Sequence, residues 1–189
     1  MLHLILRHAT MVTTASYALA SYATKAGAAN VVYLPNGISE HFKRIHNGDR
    51  IRNELGFEQD EIIVGYIGSI EFWLDMESLI KGLAIAKDQG LPIKFLLVGK
   101  GLHTRYQKLV DTTIKKYGLE KHTVWLDFIS HEKVPNYMSA LNVGTIPFNI
   151  ENPTAYYAAP NKLWEYLSQL KPVIATPIPE ILHNRKYVM

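Results

Sequence analysis

The chain has 189 residues, which suits one α/β domain or one domain with a remnant of another. Hydrophobic residues make up 48% and charged residues 20%, and a net charge of +3 from 20 basic and 17 acidic side chains is too small to argue for nucleic-acid binding. No cysteine is present, so disulfides, thiolate nucleophiles and cysteine-ligated zinc are excluded, and a cytoplasmic location is expected. Met1 to Leu6 is apolar but too short for a signal-peptide core, with Arg7-His8 following at once. No run approaches the roughly 18 apolar residues of a membrane span, although loose attraction to an anionic membrane surface stays open.

In chain order, Met11 to Thr14 reads as a strand, Ser16 as the cap of an alanine-rich helix ending at Gly27, and Asn30 to Leu34 as a second strand. Pro35-Asn36-Gly37 is a strong turn signal, followed by a polar, basic stretch to about Gly48. One βαβ unit cannot make a core alone, so residues 1–34 are expected to be the tail of a further domain. Residues 35–48 are then a linker, and 49–189 a second domain that stops soon after a strand and a turn.

Ile62 to Ile67 is the clearest strand, and its near-continuous hydrophobicity suggests burial on both faces. Asp75 looks like an N-cap, with Met76, Leu79, Ile80 and Leu83 striping a helix that Gly90 closes. The plan repeats. Ile93 to Val98 is a strand ending in Gly99-Lys100-Gly101, and Tyr106, Leu109, Val110 and Ile114 stripe a helix stopped by Gly118. Strands follow near Thr123 to Ile129, Val143 to Pro147 and Pro172 to Ala175. Helices marked by Val134, Tyr137, Met138 and Leu141, then by Leu163, Trp164, Leu167 and Leu170, lie between them. This alternation implies an α/β, doubly wound parallel sheet of Rossmann-like type with right-handed crossovers. Ligands bind such sheets beyond the carboxyl ends of the strands, so function is expected in the loops after Ile67, Val98, Ile129, Pro147 and Ala175.

Four groups of residues could carry chemistry. The helix beginning at Pro160-Asn161-Lys162 starts on the ligand side of the sheet, where free N–H groups favour phosphate. Lys162 and Glu165 share a face, and a lysine there could reach phosphate while the carboxylate accepts from ribose hydroxyls; the same spacing fits an exposed ion pair. The apolar set Leu163, Leu167 and Leu170 is expected to hold the opposite face in the core. Gly68-Ser69 ends a strand where backbone passes close to a ligand or turns sharply, without the spacing of a dinucleotide fingerprint. Gly99-Lys100-Gly101 is not a P-loop, which excludes that ATPase chemistry. The 8 histidines are scattered without HxxxH or HExxH spacing, so no metal site is expected, and no GxSxG elbow exists for a serine hydrolase. Phe72, Trp125 and Trp164 suit the core; Trp73, in the loop after Ile67, suits either the core or a sugar pocket.

Five segments in this order resemble the group 1 glycosyltransferases (family 4) of the GT-B fold: Tyr33-Leu34-Pro35-Asn36-Gly37-Ile38, Val64-Gly65-Tyr66-Ile67-Gly68, Leu96-Leu97-Val98-Gly99-Lys100-Gly101, Pro160-Asn161-Lys162-Leu163-Trp164-Glu165-Tyr166 and Lys171-Pro172-Val173-Ile174-Ala175-Thr176. Each is weak alone; together they span nearly the whole chain. The resemblance implies one half of a GT-B architecture, the C-terminal donor-binding domain, with residues 1–34 as the last βαβ unit of the acceptor domain. It implies a hexosyltransferase without metal or cofactor, using a UDP- or GDP-linked sugar. The acceptor would be a saccharide or lipid-linked molecule engaged through the other domain, as in cell-envelope polysaccharide synthesis at the inner membrane face. This piece alone would bind donor without turnover. Glu165 matches the ribose-binding glutamate. Pro160, Asn161 and Lys162 match the phosphate-side loop, Gly68 and Ser69 the glycine turn near the diphosphate, and Phe128 and Ile129 the segment whose backbone meets the base.

The chain departs from that pattern in several places. Tyr157 stands where many members have a first, sugar-contacting glutamate. Ser69-Ile70 and Trp73-Leu74-Asp75 replace the usual arginine and lysine after the first strand. Asp127 replaces a glycine before the base loop, and Leu170-Lys171 the small residue and glycine before the last strand. No catalytic residue is identifiable. A non-catalytic sugar-nucleotide-binding subunit that completes a partner chain is the alternative reading; a sugar-nucleotide epimerase of the same fold lacks a supporting constellation of carboxylates.

Overall fold

The computed structural model describes residues 1–101 and 103–188; Met189, the end of the expected second domain, lies outside them. The first unit comprises α1 (Leu2–His8), β1 (Val12–Thr14), α2 (Tyr17–Lys25) and β2 (Val31–Tyr33). β1 and β2 pair in parallel, Val12 opposite Val31. The side chain of Ser16 caps α2, accepting from Leu19 N at 3.2 Å, as the sequence suggests.

The remainder begins with α3 (Asp49–Glu54). It continues through β3 (Ile62–Ile67), α4 (Met76–Asp88), β4 (Ile93–Val98), α5 (Thr104–Lys116), β5 (Thr123–Leu126), α6 (Val134–Ser139), β6 (Val143–Ile146), α7 (Pro153–Tyr156), α8 (Asn161–Ser168), β7 (Val173–Ala175) and α9 (Pro179–His183). The five strands form one parallel sheet in the order β5-β4-β3-β6-β7, with helices on both faces. β3 and β4 are buried almost throughout, which is why they read as unbroken apolar runs. Two core clusters flank the sheet. One gathers Ile63, Leu96, Leu141, Leu163 and Tyr166; the other gathers Ile80, Leu83, Phe95, Leu97 and Ile114. Asp75 caps α4 by accepting from Ser78 N at 3.0 Å.

Three expectations need correction. The strand near Thr123 stops at Leu126, the last residue in register with β4. Beyond it the Asp127 side chain accepts from Phe128 N at 2.6 Å, and this local bond replaces the ladder. Leu109 is 58% exposed, because α5 turns only Val110, Thr113 and Ile114 inward. Leu170 is 71% exposed with φ 57°, so it ends the helix in a left-handed conformation while Leu163 and Tyr166 fill the core. The short helices α1, α3, α7 and α9 also have no counterpart in the sequence reading. Proline in the first turn of α7 and α9 was their available signal.

Candidate functional site

Strand order reverses at β3: the chain goes from β3 to β4 on one side, and returns through β6 on the other. Such a reversal opens a crevice at the carboxyl ends of the strands. Two glycines, Gly68 and Gly99, stand at the strand ends that face the crevice. Gly68 N donates to Val98 O at 2.8 Å, and Gly99 N donates to Leu126 O at 2.9 Å, continuing the ladder past the strand ends. A Cβ at Gly99 would lie 2.1 Å from the Gly68 carbonyl oxygen, and one at Gly68 would lie 2.2 Å from Lys162 Cε. Both have positive φ, 153° at Gly68 and 128° at Gly99, so only glycine fits. The Tyr66 hydroxyl donates to Ser69 O at 2.7 Å and secures the turn. Trp125 Nε1 donates to Gly99 O at 2.9 Å and fixes the neighbouring loop from below.

Helix α8 delivers the polar side chains. Pro160 is its N-cap, and no side chain caps the helix, so its first N–H groups keep their hydrogen-bonding capacity. Tyr166, fully buried, accepts from Ile67 N at 3.2 Å, which locks α8 to the end of β3. The supposed linker also holds α8. Asn36 Nδ2 donates to Ala159 O at 3.0 Å, just before the helix. Behind it, Gln169 accepts from His46 N at 3.0 Å and donates to Arg44 O at 3.0 Å. The helix start is thus fixed at both ends, and sequence reasoning saw none of these contacts.

Lys162 lies against Gly68, its Nζ 5.7 Å from the Tyr66 ring centroid. Among the described residues its ammonium has no hydrogen-bond acceptor and no ion-pair partner; the ion pairs are elsewhere. Burial pushes its pKa down, opposed by the Glu165 carboxylate. Burial likewise pushes the Glu165 carboxyl up, opposed by Lys162 and by His131. The two groups feel each other electrostatically without forming the exposed ion pair that their spacing also allowed. An unpaired cation at an uncapped helix start, beside bare backbone, is suited to an anion.

The remaining sequence candidates fall in different surroundings. Asn161 is exposed and precedes Lys162 in the chain, and Ser69 follows Gly68 in the glycine turn. Phe128 is 55% exposed in a separate group, with Lys100 Nζ 5.4 Å from its ring and 3.2 Å from Asp127 Oδ1. The Phe128 N–H and then Lys100 hold the Asp127 carboxyl below its ordinary range. Ile129 packs against the first core cluster, and so does Trp73, whose ring meets Phe72 edge to face at 4.9 Å. Tyr157 pairs edge to face with Tyr156 at 5.0 Å and with Tyr22 of α2 at 6.0 Å. Among the described residues no three potential metal ligands of the His, Cys, Asp or Glu type come together, and no helix is long and apolar enough to cross a membrane.

The model of the family "Glycosyl transferases group 1" matches residues 47–183. The chain belongs to that family. It is 27% identical over 128 residues to the putative teichuronic acid biosynthesis glycosyltransferase TuaH of Bacillus subtilis (strain 168), covering 68% of this chain and 30% of the relative. Among solved structures it resembles Anabaena HepE in complex with UDP and glucose, with a TM-score of 0.78 and 23% identity over 95% of this chain and 48% of that one. It also resembles WaaG, a glycosyltransferase involved in lipopolysaccharide biosynthesis, with a TM-score of 0.70 and 18% identity over 91% of this chain and 45% of the other. The group 1 chain therefore spans about half or less of the length of these relatives. Its five-stranded sheet is one half of a GT-B architecture, as the sequence suggests.

Proposed function

We propose that this chain is the nucleotide-sugar-binding half of a hexosyltransferase, moving a sugar from a UDP- or GDP-linked donor to a saccharide or lipid-linked acceptor. The observation that carries this reading is the Lys162 ammonium, unpaired among the described residues and held against Gly68 at the uncapped start of α8. There it would meet the donor diphosphate together with the Asn161 and Lys162 N–H groups. Charge that builds on the departing diphosphate would be stabilised by groups already in place. Glu165, one turn on, would accept from the ribose hydroxyls, and the Phe128-Ile129 segment would receive the base. The complexes of HepE with UDP and with UDP-glucose favour uridine as the carrier.

In this reading residues 1–34 belong to the acceptor half, residues 35–48 connect the halves, and 49–189 form the donor half. The acceptor, and with it any turnover, is engaged through the other half of the enzyme. The names of TuaH and WaaG support a cell-envelope polysaccharide as the product; in the same proposal its synthesis lies on the cytoplasmic side of the membrane. No metal or further cofactor enters, because the lysine and helix start supply positive charge to the diphosphate.

A thermal-shift panel of UDP, GDP, ADP and CMP tests the reading through ligand linkage. UDP or GDP is expected to raise the melting temperature of the 189-residue chain. No shift with any of the four at millimolar concentration would overturn the proposal.

A further inference from the structure

Lys162 differs from the paired lysines of the chain. Lys43, Lys87, Lys94, Lys100, Lys115 and Lys116 each hold a carboxylate within ion-pair distance. Lys162 has no such partner and no hydrogen-bond acceptor among the described residues. Packing places its amine instead. Its Cε and Nζ occupy the space where a Cβ on Gly68 would stand, and Nζ lies 5.7 Å from the Tyr66 ring centroid. The side chain is only partly buried, so some of it still meets solvent.

Two properties suit this amine to attack on an electrophile that carries its own anion. Burial lowers its pKa, with Glu165 opposing, so the nucleophilic free amine is populated more than at an exposed lysine. The start of α8 supplies the second property. Pro160 is the N-cap and no side chain caps the helix, so the first N–H groups are free to hold a phosphate beside the amine. Lys171 gives the contrast within the same chain. Burial lowers its pKa too, and Arg52 adds to the effect. It follows the carboxyl end of α8, closed by Leu170, and that end of a helix disfavours an anion.

We propose that Lys162 is a regulatory acylation site, modified by small acyl phosphates whose phosphate docks at the start of α8. The free amine attacks the acyl carbon; an N–C bond forms and the C–O bond to phosphate breaks. The phosphate leaves with the electron pair and takes up the amine proton, giving hydrogen phosphate and a neutral amide. Acylation removes the positive charge that the donor diphosphate would meet, and so switches donor binding off. That consequence rests on the donor-binding reading above; the chemistry at Lys162 does not.

Peptide mass spectrometry of the full 189-residue chain, after brief exposure to acetyl phosphate, tests the site. Lys162 is expected to be acetylated roughly three- to tenfold faster than Lys171, the gain that a helix start gives an anion. Acetic anhydride, which carries no phosphate, is expected to lose that preference. Inorganic phosphate and UDP are each expected to slow acetylation of Lys162 and to leave Lys171 unchanged. Calorimetry on chain acetylated at Lys162 is expected to show UDP binding weakened roughly ten- to hundredfold. The same ratio of Lys162 to Lys171 with both reagents overturns the proposal. So does an unmodified Lys162, or undiminished UDP binding after its acetylation; in each of these cases binding of UDP to the untreated chain still upholds the donor reading. Protection by phosphate without protection by UDP removes the donor reading instead and keeps the acylation site.

Discussion

The two sheets bury themselves unequally. In the first unit the core cluster is Leu6, Ala23, Ala26 and Ala28, while Leu4, Ile5, Met11 and Leu34 are 63%, 57%, 55% and 62% exposed. The five-stranded sheet instead carries two clusters built from Phe, Ile, Leu and Tyr side chains, one on each face. Alanines bury little area, so the first unit gains far less from apolar burial. It is tied to the larger sheet through α9. The Glu180 carboxylate, 3% exposed, accepts from Tyr17 N at 2.7 Å and from the Tyr33 hydroxyl at 2.5 Å. His183 stacks on Tyr17 with ring centroids 4.6 Å apart. The proposed donor groups thus reside on the large sheet, and the first unit docks on it through Glu180 and His183 and through the Tyr22–Tyr157 ring contact.

The sharpest way to break that division is Lys162→Met. If the donor groups stand on α8, UDP affinity measured by calorimetry falls roughly ten- to hundredfold, as for loss of a charge-assisted hydrogen bond. The melting temperature of the free chain does not fall, because a desolvated charge has been removed. Glu165→Ala is expected to cost about 1–3 kcal/mol of UDP binding. Unchanged affinity in both variants would move the site off the large sheet.

The pH dependence follows from the same pair. Burial raises the folded Glu165 pKa, so its contribution to stability is full below the unfolded value and is lost as pH rises through the folded value. Burial lowers that of Lys162, so its contribution is present above the unfolded value and lost as pH falls through the folded one. In both groups burial disfavours the charged form, and the opposite charge of the other offsets part of that cost. In the proposed site UDP would meet both in their charged forms. Affinity is expected to be bell-shaped in pH, falling on the acid side as Glu165 protonates and on the alkaline side as Lys162 loses its proton. Glu165→Gln is expected to flatten the acid limb alone, and persistence of that limb would remove Glu165 from the site.

Glu180→Ala probes the other side of the comparison. It strips the acceptor from Tyr17 N and from the Tyr33 hydroxyl, whose pKa desolvation and Glu180 push up to about 12. The expected cost is about 1–3 kcal/mol, confined to the first unit. Hydrogen exchange should quicken in α2 while β3 and β4 keep their protection. UDP affinity should change less than about twofold. Equal loss of protection in β3 would mean that the two sheets open as one body.

These contacts mark where sequence reading stops. β3 and β4 were legible because a strand buried on both faces must be apolar throughout, and α4 because Asp75 caps a regular stripe. The sheet order, the docking of α9 and the meeting of Lys162 with Gly68 depend on residues far apart in the chain, and no local period records them. Helices of four to seven residues such as α1 and α7 are too short to show a stripe, and tertiary contacts hold them instead. Glu180 reads as one more charge near a turn until Tyr17 and Tyr33 close over it. The start of α8 was legible in type, from Pro160 and the spacing of Lys162 and Glu165, but not in its state. Spacing alone could not separate an exposed ion pair from a desolvated lysine facing bare backbone.

The smallest effect is expected at Leu170, on the large sheet itself. Its φ of 57° puts a branched residue where a left-handed conformation closes α8, and its side chain is 71% exposed. Glycine adopts that conformation without a Cβ penalty. An L-residue there costs about 1 kcal/mol, and an exposed leucine offsets little of that through burial. Leu170→Gly is therefore expected to raise stability by up to about 1 kcal/mol, less the greater freedom of glycine in the unfolded chain. That corresponds to a rise of about 2–4 °C in melting temperature for a chain of this size. The backbone that follows is already set, since Lys171 N donates to Tyr166 O at 3.0 Å and Val173 is in register with Gly144. UDP affinity should then be untouched. A fall in melting temperature would mean that the Leu170 side chain stabilises the connection to β7 by more than its conformation costs.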